Sequence, residues 1–200
     1  MHITDLLDSS PWRMQEVSSS IHPTAIVSPN IRIRYPEHFQ VEKYSIIDDY
    51  CYFSTRIRIG RVCHINAHCH VLGGGDRTFL IKDYSALSPG VVVMCSSDDF
   101  VNDTINIMPR EIGRIKTSVV GDVTMDECTG IGANSVIMPS NHIPVGVAIG
   151  ALSFVPPNFS FKLWSVYAGI PIRYLCPRNR DSVLKEVEQA ESYLRTKAKT

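Results

Sequence analysis

An all-β chain wound as a parallel β-helix is the fold this sequence predicts, and three observations carry the prediction. Apolar residues recur at every sixth position, as in Val41, Ile47, Phe53, Ile59, Ile65 and Val71. A second such run holds Val119, Met125, Ile131, Ile137, Ile143, Ile149 and Val155, and shorter ones hold Ile81, Leu87 and Val93, and Ile21, Val27, Ile33 and Phe39. The position two residues before each of these is mostly small: Ser45, Cys51, Cys63, Cys69, Ser85, Thr129, Ser135, Asn141 and Ser153. Lastly, the phase breaks at only a few defined places. A short strand and a tight corner use about six residues, and three such sides close one turn of a triangular prism. The periodic residue then points inward, and a narrow interior needs its second inward residue small. Simple strand alternation gives contacts at i+2 but does not enforce a row at i+6.

The elements follow in order. Residues 1–18 stand outside the repeat and form an N-terminal extension. The prism occupies 19–177. Pro36 shifts the phase by two residues before the Val41 run begins. Between Val71 and Ile81 the step is ten, so LGGGDRTFL carries four extra residues. A longer excursion, 94–118, separates Val93 from Val119. Long departures from a regular scaffold are where function concentrates. Gly121, Asp126, Gly132 and Gly150 flank periodic sites and are expected to serve the corners. Pro156-Pro157 ends the regular coils, and the irregular apolar stretch FKLWSVYAGIPIRYL is expected to cap the open end. In 178–200, Val183, Leu184, Val187, Ala190 and Leu194 form the stripe of a C-terminal helix, with Asp181 as its N-cap.

Composition narrows the function classes. The chain of 200 residues suits one domain with a short appendage. Twenty Lys plus Arg balance twenty Asp plus Glu, which removes the electrostatic case for nucleic acid or an anionic membrane as partner. No apolar stretch is long enough to span a bilayer, and the opening residues lack a basic segment followed by an apolar core. A cytosolic location is expected. The six cysteines include no Cys-x-x-Cys pair. Cys51, Cys63 and Cys69 fall on inward positions, where a thiol behaves as a small hydrophobe.

The hexads, the segment IGANSVIMPS and the ending YAGIPIRYL resemble the hexapeptide-repeat acyltransferases over residues 20–177. The ordered set RVCHINAHC, VLGGGD, SSDDF and IGALSFV is similar to that of the sugar O-acetyltransferases of surface-polysaccharide clusters. Phe100 stands where that pattern has Tyr, and Asn141-His142 where Gly-Val is common. The resemblance implies a left-handed coil, a homotrimer, acetyl-CoA as co-substrate and a sugar or nucleotide-sugar acceptor, with no metal.

Acyl transfer from a thioester needs a base for the acceptor's proton, donors for the tetrahedral oxyanion, and a hold on the carrier. Histidine suits the first because its pKa lies near neutrality. Of seven histidines, His64 matches the Val-His-Ile of the resembling family and is the expected base. His70 is the runner-up, with His68 and His142 behind. Asp98 is a candidate orienter of the imidazole, or with Asp99 a ligand of sugar hydroxyls. The alternative for Ser96–Asp99 is a plain Asx turn. Gly73, Gly74 and Gly75 are candidates for the acceptor or oxyanion pocket. Gly132, Ala133, Gly150 and Ala151 would let a pantetheine arm lie close, and Lys162 and Arg173 would hold phosphates. Two other readings remain open: a zinc hydratase using His64, His68 and His70, and a non-enzymatic scaffold.

Overall fold

The computed structural model describes residues 21–98 and 118–197. The expected N-terminal extension, Asp99 and most of the 94–118 excursion lie outside them. The chain winds left-handed through about six turns of a β-solenoid. The first face stacks Ile26–Val27, Ile46–Ile47, His64–Ile65, Ala86–Leu87, Gly130–Ile131, Ala148–Ile149 and Ser165–Ala168 in parallel. The second stacks Arg32–Ile33, the start of Tyr52–Ile59, the start of His70–Ile81, Val92–Met94, Val136–Ile137 and Phe154–Val155. The third holds Phe39–Val41, the ends of Tyr52–Ile59 and His70–Ile81, Val123–Met125 and His142–Ile143.

The periodic residues from Ile33 to Val155 that fall among the described residues are buried in the prism, except Val119, which is half-buried. Each fully buried aliphatic or aromatic side chain contributes about 1.5–3 kcal/mol. Every small position two residues earlier is also buried. The polar ones bond to carbonyls that the corners turn inward: Ser45 Oγ donates to Gly60 O (2.6 Å), and Ser135 Oγ to Gly150 O (3.1 Å). Asn141 Nδ2 donates to Met138 O and Pro156 O. Among the described residues no buried side-chain nitrogen or oxygen lacks a partner. Small polar residues therefore serve two needs, room and hydrogen bonding.

The corners correct the expectation drawn from Gly121, Asp126, Gly132 and Gly150, none of which has a positive φ. At two of the corners the left-handed residues are Tyr44, Val62, Tyr84, Cys128, Gly146 and Trp164 between the third and first faces, and Tyr50, His68, Gly90, Asn134 and Leu152 between the first and second. Glycine at 132 answers a different need: a Cβ there would meet Ala151 N at 2.3 Å. It permits close stacking of coils instead of a turn.

Past Val155 the chain is more regular than its sequence suggests. Ser165–Ala168 adds a strand to the first face, and Arg173–Pro177 returns antiparallel to it. The end of the prism is sealed by edge-to-face contacts of Phe159, Phe161 and Tyr167, and the Tyr167 hydroxyl accepts from Lys162 N–H at 2.7 Å. Helix α1 spans Arg180–Lys197. Its cap is Asn179, whose Oδ1 accepts from Ser182 N–H at 3.0 Å. Asp181 sits inside the first turn, because the helix starts one residue before it.

Candidate active site

Histidine 64 stands on the outer side of the first face, half-exposed, because Ile65 beside it points inward. Its Nε2 is 2.9 Å from Asp48 Oδ2. Asp48 lies one coil earlier, sixteen residues back in sequence. A coil uses eighteen, so an acid at that offset is one strand over and two residues along. Sequence reasoning missed Asp48, although the hexad count contains the signal. A carboxylate on Nε2 fixes the tautomer and leaves Nδ1 to accept a proton.

The same offset recurs at Asp126 and His142, 2.7 Å apart on the third face. There the carboxylate is also taken by Lys82 Nζ at 2.7 Å. Burial opposes its ionisation, but the bonds from Lys82 and His142 win and hold the Asp126 carboxyl below the ordinary range. The pairing geometry is thus a property of the coil. What distinguishes His64 is its surroundings.

Those surroundings include a cavity of about 330 Å³ between the first face and α1, lined by His64, Tyr84, Ala86, Cys128, Arg178 and the helix side chains Val183, Val187 and Ala190 among others. The helix is pinned above it. Glu191 accepts from the Tyr84 hydroxyl and from Arg61 Nη2 (2.8 Å), while Arg61 Nε donates to Asp83 at 2.9 Å. Burial and the Glu191 carboxylate push the Tyr84 hydroxyl to about 12, so it stays a donor. Arg178 Nη1 donates to the carbonyls of Cys128 and Gly146 at 2.6 and 3.2 Å.

Asp98 and the glycines lie elsewhere, at the corner between the second and third faces. Ser96–Asp98 is a strand, paired antiparallel with Ser118–Val120, and not an Asx turn. It springs from the coil beside Gly73, whose missing Cβ would meet Cys95 Cβ at 2.6 Å and Thr55 Oγ1 at 3.1 Å. Gly74 turns the chain with φ +86°, and Gly75 lies under the Tyr35 ring. Arg56 Nε donates to Gly75 O at 2.6 Å. Packing and turning thus account for all three glycines. Asp98 does not reach His64 within one chain: one is on the first face and the other on the opposite corner.

The candidate carrier residues are brought together. Residues 28, 48, 66, 88, 132, 150 and 168 form one column at the edge of the first face, and the first six of them donate backbone N–H to the next coil, as Gly132 does to Ile149 O and Gly150 to Tyr167 O. From Asp48 and Asn66 beside His64, the column narrows to Ser88, Gly132, Gly150 and Ala168. Ala133 and Ala151 follow at the adjoining corner. Ala168 pairs with Arg173, and Lys162 Nζ lies 5.5 Å from the Tyr174 ring in the same hairpin. Arg173 is five strands from His64, about 24 Å at the usual strand spacing.

The other candidates separate. His70 is on the second face against Tyr52, and His68 stacks on Tyr50 at the corner between. With His64 they point three ways, and among the described residues no group of three His, Cys, Asp or Glu could hold a metal ion. Cys51, Cys63 and Cys69 are interior, each with its Sγ donating to a carbonyl one coil on. Burial pushes the Cys63 thiol up to about 11 and Cys95 up to about 12, which makes them poor nucleophiles. No helix is long and apolar enough to cross a membrane among the described residues.

No protein-family model matches the chain. A dTDP-4-amino-4,6-dideoxy-D-glucose acyltransferase of Escherichia coli is 30% identical over 139 residues, 67% of this chain and 69% of that protein. Among solved structures, a variant of AntD, an N-acyltransferase from Bacillus cereus, in complex with dTDP and coenzyme A, matches with TM-score 0.78 and 29% identity, covering 86% of this chain and 91% of that one. AntD with dTDP and 3-hydroxybutyryl-CoA matches with TM-score 0.72 and 29% identity, covering 86% and 87%. A maltose O-acetyltransferase from Clostridium difficile, 20% identical with TM-score 0.54 over 80% of this chain and 70% of that one, shares the fold. With its hexads, its left-handed coil and this degree of identity, the chain belongs to the hexapeptide-repeat sugar acyltransferases.

Proposed function

We propose that this protein transfers an acyl group from coenzyme A to the amino group of a nucleotide-linked aminosugar, with His64 as base. The observation that carries the reading is the His64–Asp48 pair at the head of the small-residue column. The pantetheine arm lies along Ser88, Gly132 and Gly150, with Ala133 and Ala151 at its side, and Lys162 and Arg173 meet the phosphates. The thioester then rests beside His64. Nδ1 takes the proton as the acceptor nitrogen attacks the thioester carbon. The C–N bond forms, the C–S bond breaks, and the thiolate leaves with the proton returned by His64. Preference for nitrogen over oxygen rests on the amino sugar in the Escherichia coli relative's name and on AntD being an N-acyltransferase.

Asp98 completes the site from a neighbouring copy. A homotrimer would set the Asp98 corner of one chain against the His64 face of the next, so Asp98 binds the acceptor while Asp48 orients the base. Tyr50, exposed at the corner between the first and second faces, fits such an interface. Glycines 73–75 support the Asp98 strand, and Asp99 belongs to the same acceptor side. A cytoplasmic reaction that supplies acylated sugars for surface polysaccharide fits these two substrates.

The test is turnover of acyl-CoA against a panel of nucleotide-linked amino and neutral sugars. His64→Ala is expected to keep the prism folded and lose on the order of 10²–10⁴-fold in rate. Unchanged turnover removes His64 from the mechanism.

A further inference from the structure

The cavity under α1 is larger than the chemistry assigned to His64 needs. An acetyl group would occupy a small part of about 330 Å³. The space begins at His64 and runs away from the small-residue column, toward the corner where Val62, Tyr84 and Cys128 turn the chain. Its walls are mostly apolar. Val62 and Ala86 stand on the coil side, and Val183, Val187 and Ala190 on the helix. The next outward position, Gly130, adds nothing: no atom lies within 4 Å of where its Cβ would be. Small residues on both walls create the volume, and the Glu191–Arg61–Tyr84 bonds stop the helix from closing it. A partly open apolar space of this kind beside a reacting carbonyl suits an aliphatic tail.

We propose that this cavity receives the acyl chain of a donor thioester several carbons longer than acetyl, and that α1 sets the acyl-length preference. The proposal rests on the reading that the thioester sits at His64. The carrier arm leaves His64 along the column toward Arg173, and the acyl chain leaves it on the other side, beneath the helix. Arg178 and Tyr84 at the cavity wall can meet a polar substituent on that chain.

The experiment measures kcat/KM for acetyl-, butyryl- and hexanoyl-CoA with one fixed aminosugar acceptor, using the full chain. A methylene in an apolar pocket discriminates about 10–200-fold. Butyryl- or hexanoyl-CoA is therefore expected to exceed acetyl-CoA by at least about tenfold. Ala190→Phe, which fills the cavity from the helix, is expected to shift the ratio toward acetyl by about tenfold or more. Should that variant not fold, Val183→Phe asks the same from about two helical turns nearer the start. Equal or better use of acetyl-CoA by the wild type overturns the proposal, as does an unchanged ratio in a folded cavity-filling variant. The latter is also the result expected if a segment of the chain itself fills the space. No turnover with any thioester would instead remove the acyl-transfer reading on which the proposal stands.

Discussion

Two corners of the prism repeat and one does not. At the two regular corners each turn places a single residue in the left-handed region, and its N–H bonds to the corner one coil earlier. Val62 donates to Lys43 O, His68 to Asp49 O, Cys128 to Asp83 O and Leu152 to Ala133 O. Left-handed backbone costs a non-glycine residue roughly 1–2 kcal/mol, yet Tyr, Val, His and Leu hold these places. The stack of coils over-determines each turn, so local preference loses. At the corner between the second and third faces the solutions vary. A 3-10 turn at Pro36–His38, a strand running straight through Tyr52–Ile59, a bulged one through His70–Ile81 and the excursion after Asp98 precede two regular turns at Ser140 and Asn158. Repetition builds the scaffold, and its loss frees a corner for the strand that carries Asp98.

The comparison can be broken most forcefully at Gly73. Gly73→Val would drive a side chain into Cys95 and Thr55, at a cost of about 1–3 kcal/mol. It would also displace the Asp98 strand, and a misplacement of about 1 Å suffices for a 10²-fold loss of rate. Chemical denaturation and steady-state kinetics together check both effects. If the variant is as stable and active as the wild type, the irregular corner is not a fixed support.

Next in size are the two aspartates, whose proposed roles divide between base and acceptor. Asp48→Asn is expected to lower kcat on the order of 10²-fold by removing the carboxylate that sets the His64 tautomer. Asp98→Asn should instead raise KM for the aminosugar with a smaller change in kcat. The opposite split would move the orienting role to Asp98. The smallest effect belongs to a regular corner. Leu152 is exposed at φ +55°, and Leu152→Asn should stabilise the fold by up to about 1 kcal/mol. Loss of stability, or loss of oligomer by sedimentation, would mean that this side chain has a partner in the assembly.

Much of this molecule could be read before its structure. The count of six and its companion small position located the buried residues of the prism, because a triangular interior admits one large and one small side chain per side. The three phase breaks located the irregular corner, and the apolar stripe of α1 matches its half-buried residues Val183, Leu184, Val187, Ala190 and Leu194.

The site was less legible. Histidine 64 could be named, but its partner Asp48 depends on which residues stack at an offset of sixteen, and Asp126 and His142 show that the offset alone does not confer a role. Gly132 and Gly150 read from the sequence as small candidates for the carrier, and only the winding aligns them in one column, with Ala133 and Ala151 at the adjoining corner and Arg173 paired to its last residue, Ala168. Asp98 reads from the sequence as an orienter of His64 or as a ligand of the acceptor, and within one chain folding sets it on a different side from His64. The cavity has no sequence signal, since it arises where a helix about a hundred residues later returns to cover Ala86. Sequence by itself determined what lies inside the prism, because the repeat is local and each position repeats one environment. The tertiary structure decided what meets on the outside, because those meetings depend on the pitch of the coil and the path of the terminal helix.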